Sequence, residues 1–170
     1  MPVKLFTRRE TLAAAAVTAI GSLSPRIGYA AETTSNFQEQ HMPLIRFDLY
    51  QGRSDQELKT LLDTAHRVMV EAFKVPERDR YQIVTEHRPS RMIAEDTGLG
   101  IPRTENFVMI QITTRPRSRE MKETFYKRMA EELHTHCGIA PSDVMMSFVT
   151  NTDDDWSFGL GRAQFLTKEL

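Results

Sequence analysis

Hydrophobic positions follow two different periods after residue 42. Apolar side chains recur every three or four residues after Ser54 and again after Ser118, which predicts two amphipathic helices. Ser54 and Glu57 have the spacing of a capping box for the first helix, and Gly138 is a stop signal for the second. Alternation of apolar and polar side chains, or short apolar runs, predict β-strands in four segments: residues 44–49, 81–87, 107–114 and 144–150.

The two halves of this region follow one plan. A shift of 64 residues, from residue 53 to residue 117, superposes three signals of the first half on the second. The matching pairs are Arg53-Ser54 with Arg117-Ser118, Val75 with Ile139, and Asp79 with Asp143. Each half therefore reads β-α-β. Because such crossovers are right-handed, we expect an α/β (α+β) fold with a four-stranded sheet and both helices on one face.

The predicted sheet has a second face that the helices do not cover. The strand at residues 107–114 is apolar on both sides, with Met109 next to Ile110, which a sheet with one solvated face does not need. We therefore expect a homo-oligomer that covers this face. Residues 153–159 and 163–166 carry turn-forming and aromatic residues without helical length, which predicts edge hairpins that cover a site or reach a neighbouring subunit.

The first 42 residues differ from the rest of the chain. Residues 1–31 combine a basic start, a mildly apolar run and small residues near the end, which predicts an export signal, and the surroundings of Arg8-Arg9 resemble a twin-arginine signal. Residues 32–42 are polar and aperiodic, which predicts a linker. The apolar run is too short for a stable membrane anchor. We expect a periplasmic or secreted protein, or a cytoplasmic one if translation starts at Met42.

Composition limits what the remaining region, residues 43–170, can be. Its 128 residues suffice for one core. The whole chain has 22 Lys+Arg and 23 Asp+Glu, a net charge of −1, which gives no electrostatic case for nucleic-acid binding. Cys137 is the only cysteine, so no intrachain disulfide can form. Histidines and acidic residues lack metal-ligand spacing, and residues 153–155 read as a solvated turn, so we expect no metal and no other cofactor.

Four separated motifs carry a resemblance to a known family. In chain order they are residues 43–49 (PLIRFDL), 76–82 (PERDRYQ), 115–118 (RPRS) and 156–159 (WSFG). Together they resemble the tautomerase superfamily, and within it the malonate semialdehyde decarboxylase-like branch. The resemblance implies a trimer of tandem β-α-β units with an amino-terminal proline in each active site.

The resemblance also implies roles for individual residues. Pro43 matches the catalytic proline, Asp79 its acidic partner, and Arg115 and Arg117 the binders of the substrate carboxylate. Three aromatic residues match an apolar wall of the site: Trp156, Phe158 and Phe165. The implied reaction is decarboxylation or hydration of a small, malonate-semialdehyde-like oxo acid, or keto-enol tautomerisation. On spacing alone, the arginines could equally be surface charges, and the aromatics could serve packing.

This chemistry depends on the nitrogen of Pro43. A prolyl ammonium can polarise a carbonyl, or the amine can form an iminium with it. The polarised carbonyl and the iminium each accept the electrons that the loss of carbon dioxide releases. An amide nitrogen does neither. Translation from Met42 followed by removal of that methionine, or removal of residues 32–42 from the exported chain, would free the amine. If those residues remain attached, we expect instead an exported carboxylate-binding or structural trimer without catalysis.

Overall fold

Two strand–helix–strand units follow each other in the computed structural model, which describes residues 43–170. The predicted export signal at residues 1–31 and the linker at residues 32–42 lie outside the described residues. Within residues 43–170, neither long helix has the length and apolar character needed to cross a membrane. The main elements are β1 (Pro43–Tyr50), α1 (Asp55–Phe73), β2 (Tyr81–His87), β3 (Val108–Thr114), α2 (Arg119–Cys137) and β4 (Val144–Thr150).

The internal repeat is confirmed by the sheet and by the helices. Both helices have 19 residues, and they start 64 residues apart, at Asp55 and Arg119. The strand order is β2-β1-β3-β4, with β1 parallel to β2 and β3 parallel to β4. The central pair, β1 and β3, is antiparallel. The two units therefore run in opposite directions, and each end of the sheet receives the strand starts of one unit and the strand ends of the other.

Both helices lie on one face of the sheet, as predicted. Alternate residues of β1 and β3 are buried beneath them, and the rings of Phe73 in α1 and Phe125 in α2 stack at 5.0 Å between centroids. Each large apolar side chain buried in this way stabilises the fold by about 1.5–3 kcal/mol. The register puts a second set of side chains on the opposite face, and four large apolar ones among them are exposed: Tyr81, Ile83, Met145 and Val149.

Helix caps fix where the strand–helix connections turn. The Ser54 hydroxyl accepts from the Glu57 N–H while the Glu57 carboxylate accepts from the Ser54 N–H, which confirms the predicted capping box. Ser118 caps α2 by accepting from the Met121 N–H. Gly138 ends α2 with a φ of 66°, a left-handed conformation that glycine adopts without strain. The cap at Ser118 holds the residue before it, Arg117, at the end of the sheet.

The C-terminal segment, residues 151–170, contains no strand, so the expected edge hairpins at 153–159 and 163–166 are wrong. A 3₁₀ turn forms at Asp153–Asp155 instead, closed by the Asp155 carboxylate, which accepts from the N–H and the hydroxyl of Thr152. Farther on, consecutive positive φ angles at residues 159–161 interrupt extended backbone. Local turn chemistry thus overrides the hairpin pattern.

Candidate active site

Pro43 begins β1 at the end of the sheet where β3 finishes. It is buried, and it pairs with Thr114, the last residue of β3 and itself fully buried. The parallel partner of the next residue, Leu44, is Tyr81, the first residue of β2. Arg115 and Arg117 follow Thr114 directly, and Asp79 comes two residues before β2. The structure therefore brings the four predicted polar site residues to one end of the sheet.

Asp79 lies in the turn that leads into β2. It is half-buried, and its N–H donates to the Pro76 carbonyl at 3.0 Å. The adjacent Arg80 forms an ion pair with Asp63 of α1 at 2.6 Å and donates from Nε to Gln82 at 2.7 Å. Arg80 thereby ties the turn to α1, which holds the Asp79 backbone at this end of the sheet.

Arg115 is held between a carboxylate and an aromatic ring. Its Nε lies 2.7 Å from Oδ1 of Asp153 and its Nη2 lies 3.1 Å from Oδ2, which makes a bidentate pair. The guanidinium carbon lies 5.0 Å from the centroid of the Phe165 ring, within the range of a cation–π interaction. The side chain is 21% exposed. Arg115 is therefore a partly buried cation in a defined orientation.

Arg117 is the more deeply buried of the two arginines, at 8% exposure. Its Nε donates to the Thr114 hydroxyl at 3.1 Å, and its guanidinium carbon lies 5.1 Å from the centroid of the Phe73 ring. Burial, followed by the positive charge of Arg115, lowers the pKa of Arg117 to about 10. The side chain is still charged at neutral pH. Two cations brought together with little solvent favour binding of an anion.

The three predicted aromatic residues form one cluster. The ring of Phe158 stacks on Trp156 at 5.7 Å between centroids and meets Phe165 edge-on at 5.2 Å. Gln164 holds this loop, because its amide oxygen accepts from the Phe158 N–H and its amide nitrogen donates to the Gly159 carbonyl. The contact of Phe165 with Arg115 joins the cluster to the arginines, so the aromatics line the same end of the sheet.

Sequence reasoning missed two polar residues of this site. The sequence predicts a solvated turn at Asp153, yet this residue is the carboxylate partner of Arg115. The sequence predicts only a strand end at Thr114, yet the Thr114 hydroxyl accepts from Arg117. The signal for both lies in the parallel pairing of β3 and β4: residues after Thr114 and after Thr150 must leave the sheet side by side.

The described residues offer little for metal or thiol chemistry. Within residues 43–170, no three histidine, cysteine, aspartate or glutamate side chains lie together as a metal site. Cys137 is half-buried at the end of α2, at the opposite end of the sheet from Pro43, and burial raises the pKa of its thiol. A raised pKa disfavours the nucleophilic thiolate at neutral pH.

Comparison with known sequences points to one family. Two family models described as tautomerase enzyme match residues 43–101 and residues 79–159. Probable tautomerase YrdN of Bacillus subtilis (strain 168) is 57% identical over 129 residues, which cover 76% of this chain and 100% of that protein. Probable tautomerase YusQ of the same organism is 34% identical over 126 residues, covering 74% and 99%.

Solved structures agree with the sequence matches. A malonate semialdehyde decarboxylase, studied in wild-type, mutant and inactivated forms, is 53% identical with a TM-score of 0.73, covering 75% of this chain and 98% of that one. FG41 malonate semialdehyde decarboxylase is 42% identical with a TM-score of 0.71, covering 75% and 97%. A fused 4-OT, at 18% identity and a TM-score of 0.60, covers 73% and 98% and shares the fold. The chain therefore belongs to the tautomerase superfamily, in the branch that contains the malonate semialdehyde decarboxylases, and is an enzyme of isomerase or lyase type.

Proposed function

We propose that this protein is a cofactor-independent enzyme that decarboxylates a small 3-oxo acid resembling malonate semialdehyde, with Pro43 as an amino-terminal amine. The observation that carries this proposal is the pairing of Pro43 with Thr114, which sets the first residue of β1 beside the two arginines that follow β3. The 53% identity to a malonate semialdehyde decarboxylase supports this choice of substrate class.

Binding of the substrate carboxylate is assigned to the arginines. A guanidinium binds a carboxylate through two parallel hydrogen bonds, and low solvent exposure around Arg117 strengthens them. Gripping the carboxylate in this way turns it out of the plane of the carbonyl, which aligns the bond to be broken with the carbonyl π-system. The cluster of Trp156, Phe158 and Phe165 keeps water from the rest of the substrate.

The bond-breaking step needs an electron sink at the carbonyl. The charged Pro43 amine donates a hydrogen bond to the carbonyl oxygen, or the neutral amine condenses with the carbonyl to an iminium and releases water. Cleavage of the carbon–carbon bond then leaves carbon dioxide and moves the bonding electrons into an enol or enamine. A proton returns to the carbon, and in the second case water releases the aldehyde from Pro43. Asp79 holds the proline charged or positions water, which also allows hydration.

The amine must be freed from the preceding residues. One family model starts its match at Pro43, and the curated relative YrdN aligns over its whole length while covering 76% of this chain. Both support a working enzyme that begins at Pro43. We propose that residues 1–31 direct export through a twin-arginine route to the periplasm or beyond, and that residues 32–42 are trimmed afterwards.

The assembly proposed for the enzyme is a homotrimer. The face of the sheet opposite the helices exposes apolar side chains, at 47% for Tyr81, 39% for Ile83 and 44% for Val149. Exposed apolar side chains on a face that the helices do not cover favour contact with another subunit. The fused 4-OT structures that share the fold are trimers.

Turnover by protein that starts at Pro43 tests the function. We expect residues 43–170 to convert malonate semialdehyde to acetaldehyde and carbon dioxide, and Pro43→Ala to lose about 100-fold in kcat/KM. Protein that starts at residue 32 serves as the blocked control and should be inactive. Phenylenolpyruvate is the second substrate, because faster turnover of this enol than of malonate semialdehyde would identify a tautomerase instead. Equal rates for Pro43→Ala and the unchanged protein would contradict the proposal.

A further inference from the structure

We propose that Thr114 is a positioning residue of the reaction, which holds the guanidinium of Arg117 at a fixed place relative to Pro43. This inference rests on the proposed function and deepens it, because it concerns how the same substrate is placed. The site residues that the family resemblance implies do not include this hydroxyl. Thr114 acts through Arg117 and is not assigned a contact with the substrate.

Thr114 contacts both halves of the proposed site. Its backbone pairs with Pro43 across the antiparallel strands β1 and β3. Its hydroxyl accepts from Nε of Arg117 at 3.1 Å. Under the proposed mechanism the substrate carbonyl lies at the proline and the carboxylate at the arginine, so the spacing of these two groups sets the orientation of the bond to be broken. A residue that contacts both groups fixes this spacing.

The position of the Thr114 hydroxyl does not depend on Arg117. Thr114 ends β3 between two neighbouring strands, paired with Pro43 of β1 and with Thr150 of β4. Its carbonyl accepts from the Asn151 N–H at 3.1 Å, which continues the pairing by one step. The residue is fully buried, and a branched side chain has few conformers in a strand. The hydroxyl is therefore a fixed acceptor.

The hydroxyl and an aromatic ring together set the plane of the Arg117 guanidinium. Thr114 accepts from one edge of the plane, and the ring of Phe73 lies against its face, 5.1 Å from the guanidinium carbon. Phe73 is itself fully buried and stacks on Phe125 in the core. An arginine side chain that is ordered before the ligand arrives loses less conformational freedom on binding. Both contacts therefore favour binding of a carboxylate in one orientation.

The internal repeat shows that the fold does not require this contact. A shift of 64 residues relates Tyr50 to Thr114 and Arg53 to Arg117. The Tyr50 hydroxyl donates instead to a backbone carbonyl in the segment between β2 and β3, at 3.1 Å. Arg53 donates to the Asn106 carbonyl at 2.8 Å. An arginine before a helix cap is thus placed without a strand hydroxyl in the first unit, which indicates a functional reason for the hydroxyl of Thr114.

Removal of the hydroxyl with little change of shape tests this inference in protein that starts at Pro43. Thr114→Val keeps the branched side chain, and Thr114→Ser keeps the hydroxyl. The probe is propionate, which carries one carboxylate, and calorimetry measures its dissociation constant. We expect Thr114→Val to weaken propionate binding about tenfold and Thr114→Ser to restore it to within about threefold.

The matched control removes a hydroxyl from the adjacent residue. Thr113 lies on the other face of β3, because side chains alternate along a strand. Thr113→Val should leave propionate binding within about twofold of the unchanged protein. Circular dichroism confirms the native fold of each variant. Thr114→Ala, which also lacks the hydroxyl, replaces Thr114→Val if the valine variant does not fold.

Nuclear magnetic resonance of the Arg117 Nε–H gives a readout that needs neither ligand nor turnover. Its signal is assigned by its absence in Arg117→Lys. A hydrogen-bonded, buried N–H exchanges slowly with water, so Thr114→Val should exchange this proton at least about tenfold faster than the unchanged protein. Thr114→Ser should retain slow exchange. Equal exchange in Thr114→Val and the unchanged protein would overturn the inference.

Kinetics separate this inference from the proposed function. With malonate semialdehyde, Thr114→Val should raise KM about tenfold and change kcat less, since Arg117 keeps its charge and Pro43 is untouched. Weaker propionate binding in Thr114→Val without any turnover by the unchanged protein would support the role of Thr114 and contradict the proposed reaction. Undiminished propionate binding in Thr114→Val, or an equal loss in Thr114→Ser or Thr113→Val, would overturn the inference.

Discussion

The two ends of the sheet are built on one plan, yet the residues to which we assign catalysis all lie at one of them. The internal repeat gives each unit an arginine just before a serine helix cap, Arg117 at one end and Arg53 at the other. Because β1 and β3 are antiparallel, these arginines lie at opposite ends of the sheet. We call them the proline end and the far end.

The two arginines differ in the charges around them. Burial lowers the pKa of both, but at the far end the carboxylates Glu57, Glu86 and Asp143 act on Arg53 in the opposite direction. At the proline end, the positive charge of Arg115 acts on the pKa of Arg117 in the same direction as burial. Arg53 also donates to the Asn106 carbonyl at 2.8 Å. Carboxylates thus oppose the effect of burial on Arg53 at the far end, whereas a second cation adds to the effect of burial on Arg117 at the proline end.

The repeat partners of Pro43 and Asp79, to which we assign catalysis, differ just as clearly. The counterpart of Pro43 is Phe107, which lies within the chain and donates its amide N–H to the Thr104 carbonyl at 3.1 Å. The counterpart of Asp79 is Asp143, which is 1% exposed and accepts from the N–H and the hydroxyl of Thr104. The far end has a cavity of about 450 Å³ beside Arg53. The positions related by the repeat to Pro43 and Asp79 thus hold structural contacts at the far end.

Substitution of Arg117 and of Arg53 should give the largest difference between the two ends of the sheet. Arg117→Ala should lower kcat/KM for malonate semialdehyde at least about 100-fold, because the substrate carboxylate loses the buried guanidinium that binds it. Arg53→Ala should leave kcat/KM within about twofold and cost about 1 kcal/mol of unfolding free energy through its lost hydrogen bond. Steady-state kinetics and urea unfolding measure the two effects. Comparable losses of activity in both variants would show that the ends are not functionally distinct.

For the repeat-related aspartates, we expect the far-end residue Asp143 to matter more for stability and Asp79 to matter more for activity. Asp143→Ala leaves the Thr104 N–H and hydroxyl without their acceptor, so we expect it to cost about 2–4 kcal/mol in unfolding free energy. Asp79→Asn should cost less stability and lose more activity. Urea unfolding of both variants checks this, with circular dichroism to confirm the native fold. A larger loss of stability in Asp79→Asn would reverse the roles assigned to the two positions.

The pKa of Arg117 gives a pH prediction. A carboxylate binds the charged guanidinium, so binding falls as pH rises through about 10, the pKa of Arg117. Lysine has a lower ordinary pKa and is lowered by the same burial, so Arg117→Lys should lose propionate binding at a lower pH, roughly pH 8. Arg53→Lys is the control, and an equal shift there would contradict the prediction.

The smallest expected effect concerns the single cysteine. Cys137 lines the far-end cavity, and the raised pKa of its thiol keeps it protonated at neutral pH. Cys137→Ser should change kcat/KM by less than about twofold, because the residue lies at the opposite end of the sheet from the proline. Steady-state kinetics measure this change. A loss of activity in Cys137→Ser without a loss of stability would contradict this prediction and indicate that the far end takes part in the reaction.

Much of this architecture follows from local sequence signals. The helices were predictable because Ser54 and Gly138 are strong cap signals and the apolar spacing is regular. The four polar site residues were found through their family motifs. Asp153 was not, since three consecutive aspartates look alike in sequence and only the path of the chain after β4 decides which one meets Arg115. The stacking of Arg117 on Phe73 likewise depends on how α1 packs.

The free amine of Pro43 is the central claim, and intact-mass spectrometry of the native protein tests it most directly. The same preparation is assayed with malonate semialdehyde, so that the first residue and the rate belong to one sample. We predict a mass that corresponds to residues 43–170 in the active protein. Full activity in protein that still carries residues before Pro43 would contradict the account.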